Sequence, residues 1–134
     1  MKGYLLVRAE GRPYGLPVGG VLEVADAGTV LDVPRALPAV RGLTPLRGRL
    51  VPQIHLGAFL TGRAAPAEPG RTIVLVELGA RQVAFEVDDA DAVVREAVMP
   101  VPPGQSLPWA AGVADQGGTL VPILDLEALG DRIG

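Results

Sequence analysis

The chain contains one histidine, His55, one serine, Ser106, and no cysteine or asparagine. Nucleophilic hydrolysis would need Ser106, His55 and a carboxylate to converge, and neither residue sits in a motif that builds such a triad. A lone histidine is too few ligands for a zinc site, which takes three or four. The plain reading of His55 is a strand residue near a subdomain face. Asp88-Asp89-Ala90-Asp91 has carboxylates for a hard cation, but it lacks the glycine and closing glutamate of a calcium loop and reads as a solvated turn. Gly117-Gly118 does not join a strand to a helix start as a phosphate loop does. The chain therefore reads as a non-enzyme, with no cofactor and no metal. The residue that stands out is a cation placed for recognition. Arg47 lies beside Gly48 in a predicted hairpin turn, which presents a long guanidinium outward, and arginine is enriched at interface hot spots.

These residues need elements to position them, and composition limits the choice. Of 134 residues, 49% are apolar but only 4% aromatic, so the core must be aliphatic. Eighteen glycines and thirteen prolines cut the chain into pieces too short for long helices. The net charge of −3 and a pI near 5.1 argue against a nucleic-acid surface, which carries a basic stripe, and against an acidic membrane. The absence of cysteine excludes disulfides and thiolate metal sites and fits a reducing cytoplasm. Tyr4-Leu5-Leu6-Val7 is too short for a signal core or a membrane span of roughly 20 residues.

The strongest pattern is a repeat. Gly42 to Leu56 returns as Gly112 to Leu126, 70 residues later, with six identical positions: Gly42/Gly112, Gly48/Gly118, Leu50/Leu120, Val51/Val121, Pro52/Pro122 and Leu56/Leu126. Composition alone would give roughly one or two. A weaker echo relates residues 11–18 to 80–87. Strands are expected over 4–9, 14–18, 21–24, 43–46 and 49–54, and again over 72–78, 82–87, 93–98, 109–114 and 119–124. One helical turn is expected at 34–38, a loop at 61–70, an extended connection at 100–108, and a short final helix capped by Asp125. Pro52 and Pro122 fall mid-strand in matched positions, which places both at an edge or bulge. Many short strands and an internal repeat predict an all-β chain built as two small barrels. The expected division is a single domain over 1–134, with one subdomain at about 14–64 and another at about 72–124. The terminal segments would complete the barrels or cross between them.

Val40-Arg41-Gly42-Leu43-Thr44-Pro45-Leu46-Arg47-Gly48-Arg49-Leu50-Val51-Pro52-Gln53-Ile54-His55-Leu56 resembles the signature of the CheW family: Arg-Gly, then Leu-Arg-Gly, then a Val-Pro-x-Ile-Asp-Leu strand. The likeness extends over essentially the whole chain, through Tyr14-Gly15-Leu16-Pro17-Val18, Val21-Leu22-Glu23-Val24, residues 71–76 and residues 83–88. It implies two SH3-like five-stranded β-barrel subdomains related by a pseudo-twofold, with short helical turns. It also implies an adaptor that links the regulatory domain of a CheA-like histidine kinase to the cytoplasmic helical tip of a chemoreceptor. Such a protein is cytoplasmic and recruited to membrane receptor arrays, with no nucleic acid and no membrane insertion of its own. Pro45 replaces the usual asparagine, His55 the usual aspartate and Gly57 the common arginine.

By the same resemblance, Glu23, Arg41, Gly42, Leu46, Arg47 and Gly48 form the receptor or kinase interface, with Glu23 placed to pair with Arg47. Leu16, Val18, Val21 and Leu22 are candidates for a kinase contact or for core. Trp109, the sole tryptophan, is expected to be partly core. Two other readings share these features: a CheW-like regulatory module of a pilus or surface-motility system, and a small-ligand-binding barrel.

Overall fold

The computed structural model describes residues 3–34 and 37–133. Ten strands and two short α-helices follow in order: β1 (Tyr4–Ala9), β2 (Arg12–Pro17), β3 (Val21–Asp26), β4 (Val40–Leu46), β5 (Arg49–His55), α1 (Leu56–Thr61), β6 (Thr72–Leu78), β7 (Arg81–Val87), β8 (Asp89–Val94), β9 (Ala110–Gln116), β10 (Thr119–Leu124) and α2 (Leu126–Ile133). Strand β8 starts earlier than the predicted strand at 93–98 and absorbs Asp89 and Asp91. The acidic run is thus an edge strand and not a turn. Asp88 accepts the Gly11 amide at 2.9 Å, and Asp89 pairs with Arg8 at 3.6 Å. The helical turn expected at 34–38 includes Arg35 and Ala36, which lie outside the described residues.

The strands form two five-stranded sheets, ordered β8-β1-β2-β10-β9 and β3-β6-β7-β5-β4. The sheets do not follow the expected 14–64 and 72–124 division. Each sequence repeat is a hairpin, a strand, a second hairpin and a helix. The first hairpin of each repeat, β1–β2 or β6–β7, joins the sheet built by the other repeat. One sheet is therefore continuous in sequence from β3 to β7, and the other collects both ends of the chain. The exchange is sealed by short parallel pairings inside each sheet, Gln53 to His55 on Ala84 to Glu86 and Ile123 on Gly15.

The two repeats match down to single hydrogen bonds. The His55 amide donates to the Ala39 carbonyl at 2.9 Å, and the Asp125 amide donates to the Trp109 carbonyl at 2.8 Å. Each helix then begins on a side-chain cap: His55 Nδ1 accepts the Ala58 amide at 3.0 Å, and Asp125 Oδ1 accepts the Ala128 amide at 3.1 Å. His55 thus serves at the position where its counterpart is an aspartate, using its imidazole Nδ1 as the acceptor. Helix α1, absent from the sequence reading, is buried from Leu56 to Leu60 and closes on Gly62 in the left-handed region. It has no polar face, so its five apolar residues carry no helical period to detect.

One shared pair of glycines, Gly42 and Gly112, has a common task. A Cβ at Gly42 or at Gly112 would lie inside contact distance of a backbone carbonyl oxygen, that of Leu31 or of Met99. Those residues form matching bridges, Leu31 to Leu43 and Met99 to Val113, along the outer edges of β4 and β9. A passing segment thus covers each edge strand, which removes an open pairing site.

The main core is aliphatic, as composition required, and draws on both sheets. Leu5, Val7 and Leu16 of one pack with Val74, Val76 and Phe85 of the other, together with Leu56 and Leu129 of the helices. On β1 the alternate residues Tyr4 and Leu6 turn instead into a second cluster with Val121 and Ile123. Burial on both faces explains the unbroken apolar run at Tyr4 to Val7.

Candidate functional site

Strand β3 and the β4–β5 hairpin stand at opposite ends of their sheet, yet Glu23 and Arg47 meet. Arg47 Nε lies 2.6 Å from Glu23 Oε1. The sheet therefore curls until its edges face, and this ion pair spans the seam. Thr44 Oγ1, donating to the Thr29 carbonyl at 3.2 Å, ties the same region together.

Arg47 is, with Glu10 of the β1–β2 turn, one of two non-glycine residues among those described with positive φ. Arg47 and Gly48 have φ of 52° and 73°, the two left-handed residues that a tight type I′ hairpin turn requires. The matched turn in the second repeat uses Gly117 and Gly118, with φ of 60° and 89°. A side chain at such a position costs roughly 1–2 kcal/mol relative to the right-handed region. The first repeat accepts that strain and places there a guanidinium that remains 58% exposed while touching Glu23. Leu46 is half-buried beside it, and Leu50 on the return strand is 56% exposed.

The other predicted site residues divide. Arg41 turns inward: its side chain is 16% exposed, its Nε and Nη2 donate to Glu86 at 3.0 and 2.6 Å, and Nη1 donates to the Pro66 carbonyl. Gly42 is buried by the close approach described above. Arg41 and Gly42 are thus engaged inside the fold at the start of β4, away from the Arg47 turn that follows its end. Leu16 is fully buried core, which removes it from the possible kinase contacts. Val18, Val21 and Leu22 are half-buried, with Val18–Gly20 forming a 3-10 turn that lets them face partly outward.

Sequence reasoning missed Glu86. It is fully buried, and its carboxylate accepts from Arg41, from Gln53 Nε2 at 2.7 Å and from the Gly70 amide at 2.8 Å. Burial pushes its pKa up. The hydrogen bonds from Arg41, Gly70 and Gln53 outweigh that and hold it below the usual glutamate value. The cluster clamps the 66–70 connection onto the sheet at the start of β4. The signal, a glutamate within the apolar strand Val83 to Val87, was present, but its partner lies 45 residues away.

Gly57, the other departure from the family pattern, lies under the Glu10 side chain, which pairs with Arg63. Among the described residues, no group of three or more His, Asp or Glu could hold a metal ion, and no helix is long and apolar enough to cross a membrane.

The model of the CheW-like domain family matches residues 3–133. The chain belongs to the CheW-like domain family. Among solved structures, this CheW-like chain is similar to the scaffolding protein TtCheW from Thermoanaerobacter tengcongensis, with 23% identity, a TM-score of 0.81, and coverage of 96% of this chain and 91% of that one. That likeness establishes the fold: two sheets related by an internal repeat. Among curated proteins, none matches this CheW-like domain.

Proposed function

We propose that this CheW-like domain is a non-catalytic adaptor that couples the cytoplasmic tip of a chemoreceptor to the regulatory domain of a CheA-like histidine kinase. The observation that carries the reading is Arg47: an exposed guanidinium on a strained turn, aimed by Glu23, where the matched turn has only glycine. Strain kept at one of two equivalent positions, together with an exposed guanidinium, supports a recognition role for Arg47. The contact surface comprises Glu23, Leu46, Arg47 and Gly48. Val18, Val21 and Leu22 supply an apolar contact to the kinase, and the groove between the two sheets takes a receptor helix in the helix-in-groove manner.

The mechanism is geometric. The adaptor fixes the relative orientation of receptor and kinase, so a receptor shift biases two arrangements of the kinase. Each contact buries about 800 Å2 per partner or less, and repetition in an array supplies the remaining strength.

Calorimetric titration with the kinase regulatory domain and, separately, with a receptor tip tests this reading. Binding in the micromolar range to both, weakened about thirtyfold for at least one of them in Arg47→Ala, is the expected result. Binding to the kinase domain alone, with no receptor tip bound, would favour the surface-motility role. Failure of both partners to bind would overturn the adaptor reading.

A further inference from the structure

The two repeats differ in chemistry at a second place where their backbones agree. Trp109 and Ala39 occupy the same position, each accepting the amide of the helix-capping residue that follows its hairpin. The backbone therefore does not require an aromatic there. Trp109 nonetheless stands edge-on to Tyr14, ring centres 5.9 Å apart at 65°, and the pair walls a cavity of about 420 Å3. Leu107 and Leu120 complete its apolar side, and Leu120 is 51% exposed. A volume in this range, mostly apolar with a few polar groups, is typical of a small-ligand site.

Arg12 stands at the same cavity. It is exposed and enters none of the ion pairs among the described residues. Burial pushes the Tyr14 phenol up, and the Arg12 charge acts on it in the opposite direction, so the guanidinium is within electrostatic reach of the aromatic wall. The neighbouring Arg63 is already committed to Glu10 and Thr61. The cavity therefore offers an apolar aromatic bed with one exposed cation at its edge, which makes no ion pair although the Glu10 carboxylate held by Arg63 lies within electrostatic range of it.

We propose that this cavity is a binding site for an apolar carboxylate. An aromatic or branched aliphatic group would sit among Tyr14, Leu107, Trp109 and Leu120, with its carboxylate on Arg12. The same chemistry is offered by a free small acid and by an apolar side chain followed by an acidic residue in a protein segment. The site is separate from the Arg47 surface and does not depend on the adaptor reading.

The sole tryptophan reports on it directly. Trp109 fluorescence is titrated with 3-phenylpropionate, with 3-phenylpropionamide and with the peptide acetyl-Phe-Glu-amide, in the parent chain and in Arg12→Gln. The expected result is a saturable change with the acid, the peptide or both. The acid, if it binds, is favoured over its amide by about tenfold, and for either ligand the affinity gained from the charge is lost in Arg12→Gln. Binding of the acid alone identifies a free small molecule as the source, and binding of the peptide identifies a protein segment. Leu120→Glu, which places a carboxylate at the same wall, should weaken either ligand without lowering the melting temperature. No saturable change with acid or peptide, or binding that is indifferent to Arg12→Gln, would overturn the proposal.

Discussion

Glu86 remains ionised although buried because four hydrogen bonds replace its water. Its pKa lies below that of an exposed glutamate, about 4.3, so the sign of its pH dependence is fixed. It contributes stability that is fully present above the unfolded value and is lost as pH falls through the folded value. Glu86→Gln leaves the Arg41 guanidinium buried without its charge partner, at an expected cost of about 3–5 kcal/mol at neutral pH. Urea unfolding of both chains from pH 7 to 3 should show that gap narrowing as pH drops below the ordinary glutamate range. A gap that stays constant would place the interaction elsewhere. Arg47 presents the opposite balance. Arg47→Gly relieves the positive-φ strain, about 1–2 kcal/mol, and gives up an exposed ion pair contributing about 0–1 kcal/mol. Denaturant midpoints should therefore stay level or rise while partner binding falls, separating the recognition role of Arg47 from any role in stability.

At the scale of elements, the informative unit is an edge strand together with the segment that covers it. Both edges, β4 and β9, are covered in the same way, and in both the covering carbonyl comes too close to a glycine for any side chain to fit. Gly112→Ala should push Met99 off β9. The expected loss is about 1–3 kcal/mol, by analogy with overpacking of a close contact. Amide exchange at Met99 and Val113 should accelerate selectively, while the matched pair Leu31 and Leu43 keeps its protection. Uniform acceleration at both edges would mean that the bridge does not act locally.

For the whole molecule, the exchange of hairpins decides how the chain unfolds. Each sheet contains strands from both repeats, and the larger core joins both sheets through α1, α2 and β1. Neither repeat can unfold without breaking the other's sheet, so calorimetry should record one transition with equal calorimetric and van't Hoff enthalpies. Leu129 is fully buried on α2, and Arg132 of the same helix lies 5.1 Å over the Phe59 ring of α1. Leu129→Ala should cost about 2–5 kcal/mol and move that single transition as a unit. A split into two transitions would show that the sheets are independent.

The sequence by itself determined the all-β class, the aliphatic core, most strand positions and the existence of two like units, because these depend on local period, turn residues and repetition. Gly48 and Gly118 could be read as turn glycines, and the Glu23–Arg47 pair was legible through the family motif. Tertiary structure decided which strands share a sheet, because hairpin exchange joins residues far apart in the chain and leaves no mark on local period. It also decided that Arg41 serves Glu86, that Leu16 is core, that His55 caps a helix, and that Tyr14 and Trp109 form one wall. Each of these depends on which distant group arrives within a few ångströms, a quantity fixed by packing and not by the residue's own neighbours.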